Sequence, residues 1–119
     1  MRFTNPYWSN KLKMSALQRW LIVHSILYYE LDNAIISDSM FDANARQLVQ
    51  MQEGFPDEAE DTDYWYVFYD FDGTTGFDLW DRLNKHDKDY LKHIAEHVLK
   101  LSKGGGKREG RRTSKNGDR

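Results

Sequence analysis

Residues 10–31 read NKLKMSALQRWLIVHSILYYEL, and the spacing of their large side chains decides the fold. Aromatic and aliphatic residues recur three and four positions apart, which is the pattern of an amphipathic helix. The residues on this stripe are Leu17, Trp20, Leu21, His24, Leu27, Tyr28 and Leu31. We therefore predict a first helix over residues 10–31.

The sequence DNAII interrupts this pattern, and a second helix is predicted over residues 38–53. Ser37 suits the N-cap position, and Asp38 falls in the first turn, where the helix dipole favours a carboxylate. Gly54 is expected to cap the end of the helix. The side chains expected to be buried are Phe41, Ala45, Leu48 and Val49. The two helices together predict an αα-hairpin.

The remaining ordered part is predicted to be helical as well. Residues 57–63, DEAEDTD, are expected to form an acidic loop. Residues 64–71, YWYVFYDF, suit a strand by composition and a helix by spacing, and helix is favoured because the sequence offers no second strand to pair with. A turn (DGTTG), a short helix (FDLWDRL) and a connector (NKHD) then lead to a final helix capped by Asp87. Its expected core stripe is Tyr90, Leu91, Ile94, Ala95, Val98 and Leu101.

This pattern predicts an all-α fold, a small single domain of four to five helices that spans residues 1–102. Residues 103–119 carry seven basic and two acidic side chains and no large apolar one, whereas the rest of the chain has a net charge of −7. A segment that can bury so little apolar surface is expected to be disordered. The basic side chains of this tail suit either a weak, salt-sensitive contact with nucleic acid or an acidic partner, or a tail that only keeps the protein in solution. They include Lys107, Arg108, Arg111, Arg112 and Lys115.

The amino-acid composition indicates the cellular compartment in which the protein is expected. The chain has no cysteine, so disulfides and thiolate metal sites are excluded, and a reducing cytoplasm is expected. The longest apolar stretch, LIVHSILYY at residues 21–29, is too short to span a bilayer. We expect no contact with a membrane.

Two short motifs suggest metal chemistry. Residues 67–75, VFYDFDGTT, resemble the nucleophile loop of haloacid-dehalogenase-type phosphatases, in which Asp70 would attack phosphorus and Asp72 would transfer the proton. Residues 93–97, HIAEH, have the order of a zinc-peptidase motif. An ordinary turn and surface histidines at the edge of a helix are the favoured interpretations, since the partner motifs of both enzyme classes are missing.

Residues 28–42, YYELDNAIISDSMFD, join the two predicted helices. Their aromatic pair and the Ile-Ser-Asp entry into the second helix closely resemble the N-terminal helical subdomain of NAD-dependent bacterial DNA ligases. The resemblance covers residues 12–52. In that family the subdomain closes over the nicotinamide mononucleotide half of NAD.

The resemblance implies a role for each matching residue. Tyr28 and Tyr29 would form an aromatic wall, and Asp38 and Asp42 would contact the ribose and the nicotinamide end. His24 falls at a position that can be histidine in the family. Phe41 replaces a tyrosine of the family, and Ala34 replaces a proline, so a looser site is expected.

The sequence also lacks the Lys-x-Asp-Gly adenylation motif of a ligase. We therefore expect a non-catalytic protein that requires no cofactor and binds nicotinamide mononucleotide or NAD as a ligand. The segment DFDGTTGFDLWDRL extends the resemblance to small ligase-related proteins of bacteriophages, which implies a location in the cytoplasm of a bacterial host. The alternatives are a protein-interaction factor that engages a host or defence protein, and a metal-dependent phosphatase that uses Asp70 and Asp72.

Overall fold

The structure, a computed structural model, describes residues 7–74 and 76–104. All the regular structure in these ranges is helical, so the predicted all-α class is confirmed. The helices are α1 (Asn10–Ser25), a π-helical segment (Ile26–Glu30), α2 (Asp38–Gly54), α3 (Pro56–Glu60), α4 (Trp65–Phe68), α5 (Leu79–Arg82) and α6 (Lys85–Gly104). Among the described residues, none of these helices is long and apolar enough to cross a membrane.

Helix α1 is the central helix of the domain. Ser9 caps its start by accepting a hydrogen bond from the backbone N–H of Leu12. The helix packs against α2, α3, α5 and α6. Its buried positions therefore extend well beyond the predicted stripe and include Met14, Gln18, Ile22 and Val23. A helix that is covered on several sides in this way forms the core rather than one wall of it.

The predicted first helix continues through residues 26–30 with a change of winding. Leu31 donates its backbone N–H to the carbonyl of Ile26, five residues back, at 3.0 Å. This wider π-type turn changes the direction of the side chains that follow. Ile26 and Leu27 are fully buried, but Tyr28 is 51% exposed and therefore lies outside the core.

Helix α2 begins where the sequence predicts. Ser37 accepts a hydrogen bond from the backbone N–H of Met40 at 3.1 Å, which confirms it as the N-cap. Ala45 and Leu48 are fully buried, whereas Phe41 and Val49 are partly buried. The expected cap at Gly54 is wrong, because Gly54 is the last residue of the helix and Phe55 ends it in a non-helical conformation.

Substitution of Ser37 by alanine should lower the free energy of unfolding by about 1 kcal/mol, since the N–H of Met40 loses its acceptor. Urea denaturation of the two proteins would measure the difference. Gln50→Ala is the matched control, because Gln50 is exposed in the interior of the same helix. An equal effect of the two substitutions would contradict a specific capping role for Ser37.

The acidic segment after α2 contains more structure than expected. The sequence predicts a loop over residues 57–63, but α3 begins at Pro56, a residue whose fixed φ favours the first helical position. Ala59 and Thr62 are buried, so this segment is part of the core. Helix α4 lies within residues 64–71 and confirms the helical interpretation of that aromatic stretch.

Helix α6 starts earlier than predicted. Asn84 accepts a hydrogen bond from the backbone N–H of Asp87 at 2.8 Å, so the cap is Asn84 and the supposed connector NKHD is largely helical. Asp87 instead accepts a hydrogen bond from the hydroxyl of Tyr66. Leu91 and Ala95 are buried as expected, but Tyr90 and Leu101 are 48% and 60% exposed. The stripe is therefore shorter than predicted at both ends, because the packed face lies along the middle of α6.

The basic tail lies almost entirely outside the described residues, including Lys107, Arg108, Arg111, Arg112 and Lys115. Helix α6 extends to Gly104. The division of the chain at residue 102 and the disorder of residues 103–119 stay predictions.

Candidate functional site

A cavity of about 250 Å³ lies at the corner between the end of the first helix and the start of α2. It is bordered by the π-helical segment, the loop of residues 31–37, the first turns of α2 and the turn that follows α4. All six residues that the sequence singled out line this one cavity: His24, Tyr28, Tyr29, Asp38, Phe41 and Asp42. Residues separated by up to 18 positions in the sequence are thus brought to a single concave surface.

Two local features determine the conformation of the loop of residues 31–37. Asp32 adopts a positive φ of 53°, a conformation that aspartate tolerates better than most residues and that turns the chain out of the helix. Asn33 donates its side-chain N–H to the carbonyl of Leu31 at 2.7 Å. The following residues Ala34, Ile35 and Ile36 then run along the cavity before Ser37 starts α2.

Tyr28 and Tyr29 form the aromatic side of the cavity. Their ring centroids are 4.7 Å apart in an edge-to-face arrangement, and both rings remain about half exposed. Tyr29 also meets Phe77 edge to face at 5.5 Å. The π-type turn directs two adjacent aromatic residues toward the cavity instead of the core, and leaves ring surface available for stacking with a planar ligand.

His24 lies on the side of the cavity that faces the core. The ring centroids of His24 and Trp20 are 4.4 Å apart. Trp20 in turn stacks with Phe41, with a centroid distance of 6.2 Å. The Nδ1 atom of His24 is buried and has no hydrogen-bond partner among the residues that the structure describes. Burial lowers the pKa of His24 to about 4, so the imidazole is neutral at pH 7. A neutral ring with an unsatisfied nitrogen can either donate to or accept from a ligand amide.

Asp38 and Asp42 supply the negative charge of the cavity. They are one helical turn apart and therefore share one face of α2, where like charges repel each other. Across the described ranges, neither carboxylate forms an ion pair. Both are open to a ligand that offers hydroxyl groups or positive charge.

Two residues of the cavity come from a segment that the sequence did not connect with it. Thr74 and Gly76 follow α4 and also line the cavity. Asp72 fixes this turn by accepting hydrogen bonds from the backbone N–H and the hydroxyl of Thr74. A side chain at position 76 would come within 2.7 Å of the tip of the Phe41 ring, so only glycine allows this close approach. The glycine was visible in DGTTG, but its partner Phe41 lies 35 positions earlier and no local pattern joins them.

Asp70 and Asp72 do not form a phosphatase-like centre. The chain that delivers them is the helix α4 and not a strand. Arg82 binds both carboxylate oxygens of Asp70 and also contacts Asp78, so the pKa of Asp70 lies below its usual range. Asp72 is engaged by Thr74, which likewise lowers its pKa. Both aspartates have structural partners that explain them.

The histidines of HIAEH are surface residues. His93, Glu96 and His97 are all exposed on α6. Within residues 7–74 and 76–104, no cluster of three or more histidine, aspartate or glutamate residues is arranged to hold a metal ion.

One segment of the chain matches a known protein family. Residues 9–62 match the family model described as "DNA ligase-like, N-terminal NAD+-binding domain", and this segment contains all six predicted cavity residues. No curated protein and no solved structure matches the chain. Thr74 and Gly76 lie outside the matched segment. Residues 9–62 are therefore similar to the N-terminal NAD+-binding domain of DNA ligase-like proteins.

Proposed function

We propose that the chain is a non-catalytic module that binds nicotinamide mononucleotide, NAD or a related nucleotide in the cavity beside Tyr28 and Asp38. One observation carries this proposal: the six residues implied by the ligase resemblance line a single cavity. The proposed ligand-binding residues are His24, Tyr28, Tyr29, Asp38, Phe41 and Asp42. No chemical step, and hence no cofactor, is needed for this role.

The size of the cavity favours half of a dinucleotide over the whole. Sites that enclose drug-sized ligands measure about 300–1,000 Å³, and this cavity is slightly smaller at about 250 Å³. A nicotinamide ring with its ribose would occupy it. The remainder of NAD would extend past Tyr29 toward solvent.

The chemistry of the lining suits the same group. The exposed faces of Tyr28 and Tyr29 can stack on an electron-poor pyridinium ring. Carboxylates are acceptors for the ribose hydroxyls and make charge-assisted hydrogen bonds. Asp38 and Asp42, which both line the cavity, would supply these acceptors.

Calorimetric titration of the full chain with nicotinamide mononucleotide and with NAD tests the proposal. Binding of at least one ligand is expected, and Asp38→Ala should weaken it by about tenfold, since one charge-assisted contact is lost. Asp57→Ala is the matched control, because it removes the same charge from an exposed position on α3 outside the cavity. Absence of heat with both ligands at millimolar concentration would sink the proposal.

We place this function in a phage-encoded protein that acts in the cytoplasm of a bacterial host. The resemblance of DFDGTTGFDLWDRL to small ligase-related phage proteins supports this setting. The basic tail would then contribute a weak, salt-sensitive contact with nucleic acid.

A protein-interaction role is the second candidate, and the exposed aromatic residues favour it. Phe77 and Tyr69 are 67% and 60% exposed, more than is usual for large apolar side chains in a small domain. Such residues are enriched at protein interfaces. A tagged chain incubated with bacterial lysate would retain a host or defence protein in this case, and would bind neither nicotinamide mononucleotide nor NAD.

A further inference from the structure

The charges around the cavity are of one sign. Asp38 and Asp42 are the only lining residues charged at pH 7, because His24 is neutral and the described lining contains no lysine or arginine. Glu30 and Asp32, which lie in the sequence between the lining residues Tyr29 and Ala34, are two more exposed acidic residues. A ligand that enters this cavity therefore meets a negative field.

Two nearby features could offset this field. Arg46 follows Asp42 by one helical turn, but it is exposed, does not line the cavity and forms no ion pair with Asp42. The positive end of the α2 dipole also faces the corner, and a helix N-terminus commonly binds phosphate. Here Ser37 already accepts the N–H of Met40, and Asp38 places a carboxylate in the first turn. One donor of this helix start is therefore taken, and the Asp38 carboxylate opposes the binding of an anion there.

We propose that the cavity selects a cationic pyridinium nucleoside, and that a phosphate on the ribose weakens binding instead of strengthening it. This inference rests on the proposed function and specifies its ligand: the minimal ligand is nicotinamide riboside. The pyridinium ring is attracted by Asp38 and Asp42 and stacks against the tyrosines. A 5′-phosphate carries up to two negative charges into the same field, where no described cation receives it.

Isothermal titration of the full chain with nicotinamide riboside and nicotinamide mononucleotide, at low and high salt, tests the inference. At about 20 mM salt, where the Debye length exceeds the size of the cavity, the riboside should bind at least about threefold more tightly. At about 0.5 M salt the ratio should approach one, because screening removes the repulsion of the phosphate. Nicotinic acid riboside, which has a neutralising carboxylate, should bind more weakly than nicotinamide riboside at low salt.

A double variant assigns the preference to the two carboxylates. Asp38→Asn with Asp42→Asn keeps the size of both side chains and should reduce the ratio at low salt to about one. Asp57→Asn with Asp61→Asn removes the same charge from exposed positions outside the cavity and should leave the ratio unchanged. Thermal melting of each variant establishes that it is folded before titration.

The outcomes separate this inference from the proposed function. A riboside preference below threefold at low salt, or tighter binding of the mononucleotide, overturns the inference while nucleotide binding stands. If the double variant keeps the full preference, the carboxylates are not its source and the inference is also overturned. If neither the riboside nor the mononucleotide binds, the inference and the proposed function fail together.

Discussion

Substitution of Gln18 by alanine is expected to lower the free energy of unfolding by about 3–5 kcal/mol. Gln18 is fully buried in the middle of α1. Its side-chain N–H groups donate to the Thr62 hydroxyl at 2.7 Å and to Gln52 at 3.3 Å, and its side-chain carbonyl accepts the backbone N–H of Tyr64 at 3.1 Å. Truncation leaves these buried groups without partners and creates a cavity.

The cost is large because the other members of this network are themselves fully engaged. Gln52 donates to the carbonyl of Phe68, and the Thr62 hydroxyl donates to the carbonyl of Ala59. The network therefore ties α1 to α2, to the end of α3 and to α4. Buried polar groups with complete sets of partners are expensive to disrupt, since each orphaned group has also lost its water.

Urea denaturation of two further variants separates the contributions. Gln18→Leu keeps most of the volume and should cost about 2–3 kcal/mol, from the lost hydrogen bonds alone. Gln50→Ala is the control, since Gln50 is exposed on α2 and its substitution should change stability by less than about 0.5 kcal/mol. A cost for Gln18→Ala no greater than that of Gln50→Ala would show that the network does not hold the domain together.

This network marks the limit of what the sequence could predict about the fold. The hairpin, the Ser37 cap and the helical state of residues 64–71 were all predictable, because each depends on neighbouring residues or on a regular period. Gln18 lies between Leu17 and Arg19, where a polar residue fits an exposed helix face equally well. Only partners 34 to 46 positions away make its burial possible.

The short helices and the π-type turn show the same limit. Pro56 starts α3, but proline is equally common just beyond the end of a helix, so its position alone does not predict a new helix. The change from α- to π-helical winding at residues 26–30 cannot be recognised from the spacing of apolar residues, because that spacing is analysed with a period of 3.6 residues. It nevertheless decides that Tyr28 faces the cavity and Ile26 the core.

The candidate site was predictable only on its ligase-like side. His24, Tyr28, Tyr29, Asp38, Phe41 and Asp42 were identified through the family resemblance, and they line one cavity. Whether they bind a ligand stays a prediction. Thr74 and Gly76 were missed because they reach the cavity through tertiary packing against Phe41. The only sequence feature that pointed to this packing was the glycine at position 76, which leaves room for the Phe41 ring.

His24 should make the stability of the domain depend on pH in a defined window. Burial lowers the pKa of His24 in the folded protein to about 4, whereas the unfolded chain takes up the proton near the ordinary pKa of 6.5. Between these two values the unfolded state binds more protons, so folding becomes less favourable as the pH falls from 6.5 toward 4. Above pH 6.5 the residue is neutral in both states and contributes no pH dependence.

Substitution of His24 by phenylalanine should remove this dependence, because phenylalanine keeps a ring beside Trp20 and cannot take up a proton. Relative to the variant, the wild-type protein should lose about 2 kcal/mol between about pH 7.5 and pH 4.5, a value reduced from the full shift because the ring borders the cavity and is partly hydrated. Urea denaturation at the two pH values measures the difference. His93→Phe is the control, since it makes the same change at an exposed position on α6, outside the cavity. An equal loss of stability in the wild type and in His24→Phe would contradict this prediction. It would mean that His24 takes up a proton as readily in the folded state as in the unfolded state, and hence that water reaches the buried side of the ring.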